Sequence, residues 1–515
     1  MRLISPERIA EVDRFAVERL GIEAVELMRR SAESVCHSLL EAMPQINGKI
    51  TVLAGAGNNG GDGYAAASIL ADKYTVQIFD IFGAGQRSSE GKYYLEKCKS
   101  IGIPIYVYEN TEQNRAQITS SAVIIDAVLG AGARLPLSDR LVKLCQIISA
   151  SPAFKLAVDV PLGIDPKTAQ TDCFAPIYDL TVSLSYVKVG LVSYPAKDKV
   201  GRLVCCDLLL DGAADVIAGS DYVLIDAPVA SALLPKRESN SSKGSFGKAI
   251  LLVGSEKYPG AALLALESAL RFGAGYVTLY GERKQFSELL SKFPEAIYVE
   301  RLPFSQMEHK DILCLASSLP KTASVLVGSG GCSSDGLRAL TLALLSLPGR
   351  ALIIDADAIN SLAANTEQAT LALRSAKRKV ILTPHPLEFA RLIGVSLDEV
   401  QAKRLPLAEK FARENKLILV LKGAATIITD GKRTYINSSG SSALSKAGSG
   451  DCLAGAIASI AASGCDELNS AALAVYVHGA AGDSLAQEFS QFGVTPSDLP
   501  REMARVLCRL EALYE

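Results

Sequence analysis

The sequence lacks a charge excess, a paired-cysteine spacing and a long apolar run. Its 53 basic side chains nearly cancel its 55 acidic ones, leaving −2 at neutral pH. It therefore has no electrostatic footprint for nucleic acid or for an anionic membrane. A small anionic ligand stays open, because backbone N–H groups and a few lysines suffice to hold one. The 11 cysteines form no C-x-x-C pair. Odd, scattered thiols fit a reducing compartment better than a disulfide framework, and nearly all read as small buried hydrophobes. The opening MRLISPERIAEVDRF has no apolar stretch of the secretory kind. No uncharged apolar run reaches the roughly 18 residues of a membrane helix. The nearest, residues 452–464, is mostly alanine, glycine and serine and reads as a packed interior helix. The expectation is a cytoplasmic protein with neither nucleic acid nor membrane as partner.

What is present is globular. Hydrophobic residues make up 49% and charged residues 21% of 515, enough for two or three domains at about 100–200 residues each. Ser5-Pro6 reads as a helix start, followed by amphipathic helices to about Gly21 and from Ile22 to Met43. Strand-like runs then fall at 49–54, 74–82, 103–108, 122–128, 155–160 and 180–187, with helical segments between most of them. Such alternation predicts a mostly parallel sheet covered on both faces. Residues 211–245 break the rhythm, and the polar KRESNSSKGS at 236–245 reads as a linker or exposed loop. The alternation resumes at 248–253, 276–280, 323–328, 350–355, 378–383 and 417–421. The segment 426–437 reads as a hairpin turning at Asp430-Gly431, Ser396 to Glu399 as a capping box opening a long helix, and 450–463 and 465–488 as long helices. The reading is an α/β chain: a first domain over 1–215, a linker and start of the second over 216–245, and a second domain over 225–515.

Two stretches carry chemistry. After the strand KITVLA comes GAGNNGGDG, in which Gly55, Gly57 and Gly60 satisfy G-x-G-x-x-G at a strand-to-helix turn, with Asp80 about 20 residues on. The plain reading is a dinucleotide dehydrogenase. Against it, Asn58, Asn59 and Asp62 crowd a loop that usually carries small residues. The first half also holds a single histidine, His37, as a hydride-transfer partner. The second stretch is Gly448-Ser-Gly-Asp451, directly before a helix. Its N–H groups and helix dipole would draw an anion, and its aspartate would be the base that activates a hydroxyl toward a phosphoryl group. An ordinary N-cap and turn-capping aspartates at Asp126 and Asp159 are the plain alternatives.

The first stretch resembles the signature of the NAD(P)H-hydrate epimerase family. The resemblance extends through Leu27-Met28, Asp126 to Gly132, Ala157 to Gly163 and Lys188-Val-Gly190, over roughly residues 5–210. It implies a Rossmann-like three-layer αβα domain with its site at the strands' C-terminal ends. Asn58, Asn59, Gly60, Gly61 and Asp62 would hold the hydrated dinucleotide, together with Gly130, Ala131, Gly132, Ala133, Arg134, Leu135 and Pro136. Asp159 would contact it as acid or base, with Asp126 beside it in the catalytic set. Asn59 and Asp126 would bind potassium. The family's serine is Leu162 here, leaving only a backbone oxygen, and its helix glutamate is Arg29.

The second stretch resembles the ribokinase-like fold. Within it, the resemblance is to the ADP/ATP-dependent NAD(P)H-hydrate dehydratase family. Lys243 to Gly247, Pro259 to Ala261, Gly273 to Gly275, Gly328 to Gly331, Asp355-Ala-Asp357 to Asn360, Thr383-Pro-His-Pro386 with Glu388, Lys422 to Thr426 and His478 to Asp483 follow in family order over 225–510. The resemblance implies that Lys422, Gly423, Ala424, Ala425, Thr426 and Gly450 bind ADP (or ATP). Ala261, Gly331, His385 and Asp451 would contact the hydrate, with Asp451 as the base. Magnesium would accompany the nucleotide. Here the family pattern departs at Ser242, Leu387 and Asn437 to Ser441. The substrates implied are NADHX and NADPHX, the assembly a homo-oligomer. Open alternatives are a ribokinase-like vitamin-precursor kinase and a first domain that only binds a dinucleotide or a protein partner.

Overall fold

The computed structural model describes residues 2–83, 87–206, 208 and 221–513, the side chains of 287 and 288 aside. The chain divides into two compact units, Arg2–Tyr222 and Val223–Glu515.

In the first unit seven parallel strands form one sheet: β1 (Ile50–Ala54), β2 (Val76–Asp80), β3 (Ile105–Val107), β4 (Val123–Ala127), β5 (Phe154–Val158), β6 (Leu180–Leu184) and β7 (Arg202–Cys206). Their order is β3-β2-β1-β4-β5-β6-β7. β1, β2 and β4 are buried at every position. That is why they read as continuous apolar runs rather than alternating ones. Alternate side chains enter two separate cores. Ile50, Val52, Ile78, Val123 and Ile125 pack on one face, and Leu53, Phe79 and Ile124 on the other. The unit is thus three layers, as expected of a Rossmann-like domain. The chain runs outward from β1 to β3 and then returns to β4 on the other side of β1. Such a reversal opens a crevice at the strands' C-terminal ends.

The second unit holds β8 (Tyr222–Ile225), β9 (Lys248–Leu252), β10 (Tyr276–Gly281), β11 (Ile297–Glu300), β12 (Ser324–Val327), β13 (Ala351–Ile354), β14 (Lys379–Leu382), β15 (Ile418–Leu421), β16 (Ile427–Thr429) and β17 (Thr434–Asn437). The sheet order is β11-β10-β9-β12-β13-β14-β15-β16-β17-β8. Strands β9 to β15 pair in parallel, and β15-β16-β17 are antiparallel. All the parallel C-terminal ends therefore lie along one edge.

The stretch expected as linker and start of the second domain, 216–245, contains β8 and the helix Ala227–Leu233, both contributing to the second unit's core; its residues 216–220 lie outside the described ones. The strand β11 was not among the expected strands. Ser396 does cap a helix, accepting from the Glu399 N–H at 3.1 Å, but that helix is short, Leu397–Ala402, and a second follows over Arg404–Asn415. The hairpin turns where expected: Asp430 Oδ1 accepts from the N–H groups of Lys432 and Arg433 at 2.8 and 2.7 Å.

Candidate functional sites

In the first unit the crevice beside β1 and β4 is a cavity of ≈ 590 Å³. It is lined by Asn58, Asn59, Asp62, Gly130 to Ala133 and Asp159, all expected, and also by Asp13 and Lys188. Glycine is required here by packing. A Cβ on Gly55 would stand 2.0 Å from the Val128 carbonyl oxygen, and one on Gly60 2.0 Å from that of Gly55. Only bare backbone lets the helix Asn58–Leu70 start this close to the strand ends. Gly60 and Gly61 thus serve as contact surfaces, Gly61 against Met28.

Asn59 is anchored by donating to the carbonyls of Leu129 and Val158 at 2.8 and 3.0 Å. Its Oδ1 is buried and has no hydrogen-bond partner. Asp159 directly follows β5 with φ 67, a left-handed conformation that aspartate tolerates better than most residues. Its Oδ1 accepts from the Leu184 N–H at 3.1 Å and forms an ion pair with the buried Lys188. Lys188 also donates to the Leu184 carbonyl at 3.0 Å. Burial pushes the Asp62 carboxyl well above the usual range, with the charges of Asp159 and Asp13 adding and Lys188 opposing. Asp13 shifts upward for the same reasons, burial first.

Asp126 is placed differently. It is 0% exposed and does not line the cavity. Its Oδ1 accepts from the Val128 N–H at 3.1 Å, and its Oδ2 accepts from the Leu162 N–H at 2.9 Å and the Tyr178 hydroxyl at 2.5 Å. Burial raises its carboxyl to about 6 despite those donors. Asp126 therefore ties the turn after β5 to the end of β4. Tyr178→Phe is expected to remove one donor and cost the first unit about 1–3 kcal/mol, measurable by denaturant unfolding. Arg134, Leu135 and Pro136 also lie off the cavity lining; Arg134 donates to the Ala133 carbonyl at 2.7 Å. Asp80 lies off the cavity lining, pairs with Arg87 and accepts from the Gly83 N–H at 3.1 Å.

In the second unit, Asp355 and Asp357 after β13 and Lys422 after β15 lie near enough to the N-terminus of the helix Ser449–Ala462 for their charges to act on Asp451. Gly448, at φ 104, makes the turn into that helix in a conformation that favours glycine. His478 Nε2 donates to the Ser449 carbonyl at 3.0 Å. Burial drives this histidine down to about 4, so it is neutral at physiological pH. A Cβ on Gly450 would lie 3.4 Å from Lys422 Nζ, which places the ammonium over the turn. Lys422 Nζ donates to Asp355 Oδ1 at 3.2 Å. Asp451 is raised to about 7, by burial first, then by the charge of Asp355, with Lys422 opposing and Asp357 adding.

The turn 422–426 is pinned by Arg404, which donates to the carbonyls of Ala424 and Lys422 at 2.8 and 3.2 Å. Thr426 Oγ1 closes it on the Gly423 carbonyl at 2.8 Å. His385 caps the helix Pro386–Ile393, its Nδ1 accepting from the N–H groups of Leu387 and Glu388 at 3.2 and 3.3 Å. Burial, Lys422 and Arg391 lower it. Ala261 stands at the start of the helix Pro259–Arg271, against the Gly328–Gly331 turn, where a Cβ on Gly330 would be 2.5 Å from its own. Sequence reading missed the roles of Asp13, Lys188, Asp355 and Arg404. Only Lys188 and Asp355 carried a signal, each lying in a quoted motif.

A mostly parallel sheet with a glycine-rich helix start, and a lysine and a half-buried aspartate at that turn, defines an α/β enzyme of the ribokinase-like class; the first unit adds a Rossmann-like domain with its own cavity. Residues 249–505 match the NAD(P)H-hydrate dehydratase family, and residues 24–190 match the family described as YjeF-related protein N-terminus. The chain is 31% identical to the bifunctional NAD(P)H-hydrate repair enzyme Nnr of Thermofilum pendens, covering 100% of this chain and 98% of that one. It is 30% identical to that of Moorella thermoacetica over the same shares. An ADP/ATP-dependent NAD(P)H-hydrate dehydratase structure from Bacillus subtilis aligns with 56% of this chain and 98% of its own, at 29% identity and a TM-score of 0.49. The chain belongs to the family of bifunctional NAD(P)H-hydrate repair enzymes. Among the described residues, no helix is long and apolar enough to cross a membrane.

Proposed function

We propose that the chain repairs hydrated NADH and NADPH in the cytoplasm, the first unit interconverting the R and S hydrates and the second dehydrating the S form with ADP. The observation that carries the second activity is the meeting of Lys422, Gly450 and Asp451 at one helix start. The ring hydroxyl gives its proton to Asp451 as its oxygen bonds to the β-phosphorus. The bridging bond to AMP breaks in the same step. Phosphate then leaves with the C–O pair, and loss of a proton from the adjacent ring carbon restores the dihydropyridine. Transfer converts hydroxide, a poor leaving group, into phosphate. Ala261, Gly331 and His385 would flank the ring, and the turn 422–426 would hold the nucleotide. Among the described residues no group of three or more histidine, cysteine or acidic side chains is placed to hold a metal. Magnesium would enter on the nucleotide's phosphates.

For epimerisation, breaking and re-forming a bond at the hydroxyl-bearing carbon needs a proton donor and an acceptor. Asp62, pushed toward its neutral form, would donate, and the salt-bridged Asp159 would accept. The unpartnered Asn59 Oδ1 fits an oxygen-bound potassium. Asp126 Oδ1, with a single backbone donor, and the Leu162 backbone would complete its ligands. When bound, the ion would supply a fixed positive charge.

The test is recovery of NADH absorbance from purified S-hydrate with ADP or ATP. Recovery with ADP is expected, and none with either nucleotide would overturn the proposal.

A further inference from the structure

Asp355 is an acidic side chain that the proposed reaction does not use directly. It is 1% exposed and directly follows β13. Three neighbouring strand ends hold it. Ser329, after β12, donates its hydroxyl to Oδ2 at 2.8 Å. Thr383, after β14, donates to Oδ1 at 2.7 Å. Lys422, after β15, donates to Oδ1 at 3.2 Å. The Asp355 N–H is fixed on the Val327 carbonyl at 3.1 Å. A carboxylate bound this way cannot follow the lysine, so the lysine must follow it. A free lysine stem would otherwise rotate its strongly hydrated ammonium into water.

We infer that Asp355 is a positioning residue for phosphoryl transfer, holding the Lys422 ammonium over the Gly450–Asp451 turn where the transferring group arrives. The inference rests on the dehydratase reading. In that step charge spreads over the oxygens of the moving phosphoryl group, and a cation fixed beforehand stabilises it without reorganising. Asp355, buried behind Lys422, would act through that lysine. The groups facing Asp451 are Asp355, Asp357 and Lys422. Those facing Lys422 are Asp355, Glu388, Asp451, His385 and His478. His385 faces Lys422, Arg391 and Asp355, and Lys257 faces Asp357.

Each charge carries a sign that can be read. Asp355 helps keep the proton on Asp451, and Lys422 helps remove it. ADP-dependent dehydration of S-hydrate is to be followed between about pH 5 and 9, spanning the range where a raised carboxyl titrates. The chains compared are the unmodified one, Asp355→Asn, Lys422→Met and Thr383→Ala. In Asp355→Asn the plateau rate should fall roughly tenfold to a hundredfold, with a smaller change in the KM for ADP. Its acid limb should move to lower pH. In Lys422→Met the residual rate should show the limb at higher pH. Opposed shifts are not the result of a general folding defect. Thr383→Ala keeps the charge but loosens the carboxylate, so its plateau should fall while its limb stays in place. If Asp355→Asn does not fold, the other two variants decide.

Unmoved limbs in both charge variants, or a Thr383→Ala plateau equal to the unmodified chain's, would overturn the inference. Absence of turnover in the unmodified chain would instead refute the dehydratase reading, and the inference with it.

Discussion

Replacing Asp451 with asparagine is expected to leave a folded chain that no longer restores NADH from the S-hydrate. The loss should be about 10²–10⁴-fold in kcat, the range of a removed general base. It should come with little change in ADP binding, since Lys422 and the turn 422–426 remain. Burial and the charge of Asp355 raise Asp451 to about 7. The base must be ionised, so dehydration by the unmodified chain should fall as pH drops through about 7. The stability sign runs the other way. A carboxyl raised in the folded state contributes stability below its unfolded value, and that contribution is lost as pH rises through about 7. Asparagine removes the cost of burying the charge. At pH 8 the variant's Tm should therefore equal or exceed that of the unmodified chain. A variant that still turns over the hydrate would refute the base assignment, and a variant with a lowered Tm would refute the electrostatic account.

What the sequence made legible follows from the range of the interactions. The Gly448–Asp451 turn could be read because its chemistry is local: a glycine at positive φ, a helix start and an aspartate within four residues. The loop Gly55–Gly63 could be read for the same reason. The strand cores were legible because residues buried on both faces, such as those of β1 and β4, leave unbroken apolar runs. Asp13 was not legible. It lies on the amphipathic helix Ile9–Glu18, where an acidic residue reads as solvated face, and only the fold turns it into the cavity. Asp355 stood in a quoted motif, but its role depends on Ser329, Thr383 and Lys422, which come from three other strand ends. Arg404 offered no signal, because backbone carbonyls such as those of Ala424 and Lys422, which any residue supplies, are among its acceptors. β8 was hidden for a related reason. A short strand at a sheet edge, in a stretch that breaks the strand–helix alternation, has its pairing decided by β17 more than 200 residues away.

The ion pair Asp159–Lys188 separates catalysis from stability in the first unit. Asp159→Asn should reduce R-to-S conversion about 10²–10⁴-fold, as for a lost acid or base. It would also leave the Lys188 ammonium buried without its partner, at a cost of about 3–5 kcal/mol. A lower rate in that variant alone would be ambiguous, because partial unfolding produces the same result. Removing both charges resolves it. Asp159→Asn with Lys188→Met exchanges a buried pair for neutral groups of similar size, which is often close to neutral for stability. The double variant should regain most of the lost stability in denaturant unfolding and none of the lost conversion, while the second unit still dehydrates S-hydrate with ADP. If conversion returns along with stability, Asp159 is a structural partner of Lys188, and the acceptor must be sought at Asp62 or Asp13, the remaining carboxylates that its charge reaches inside the same cavity.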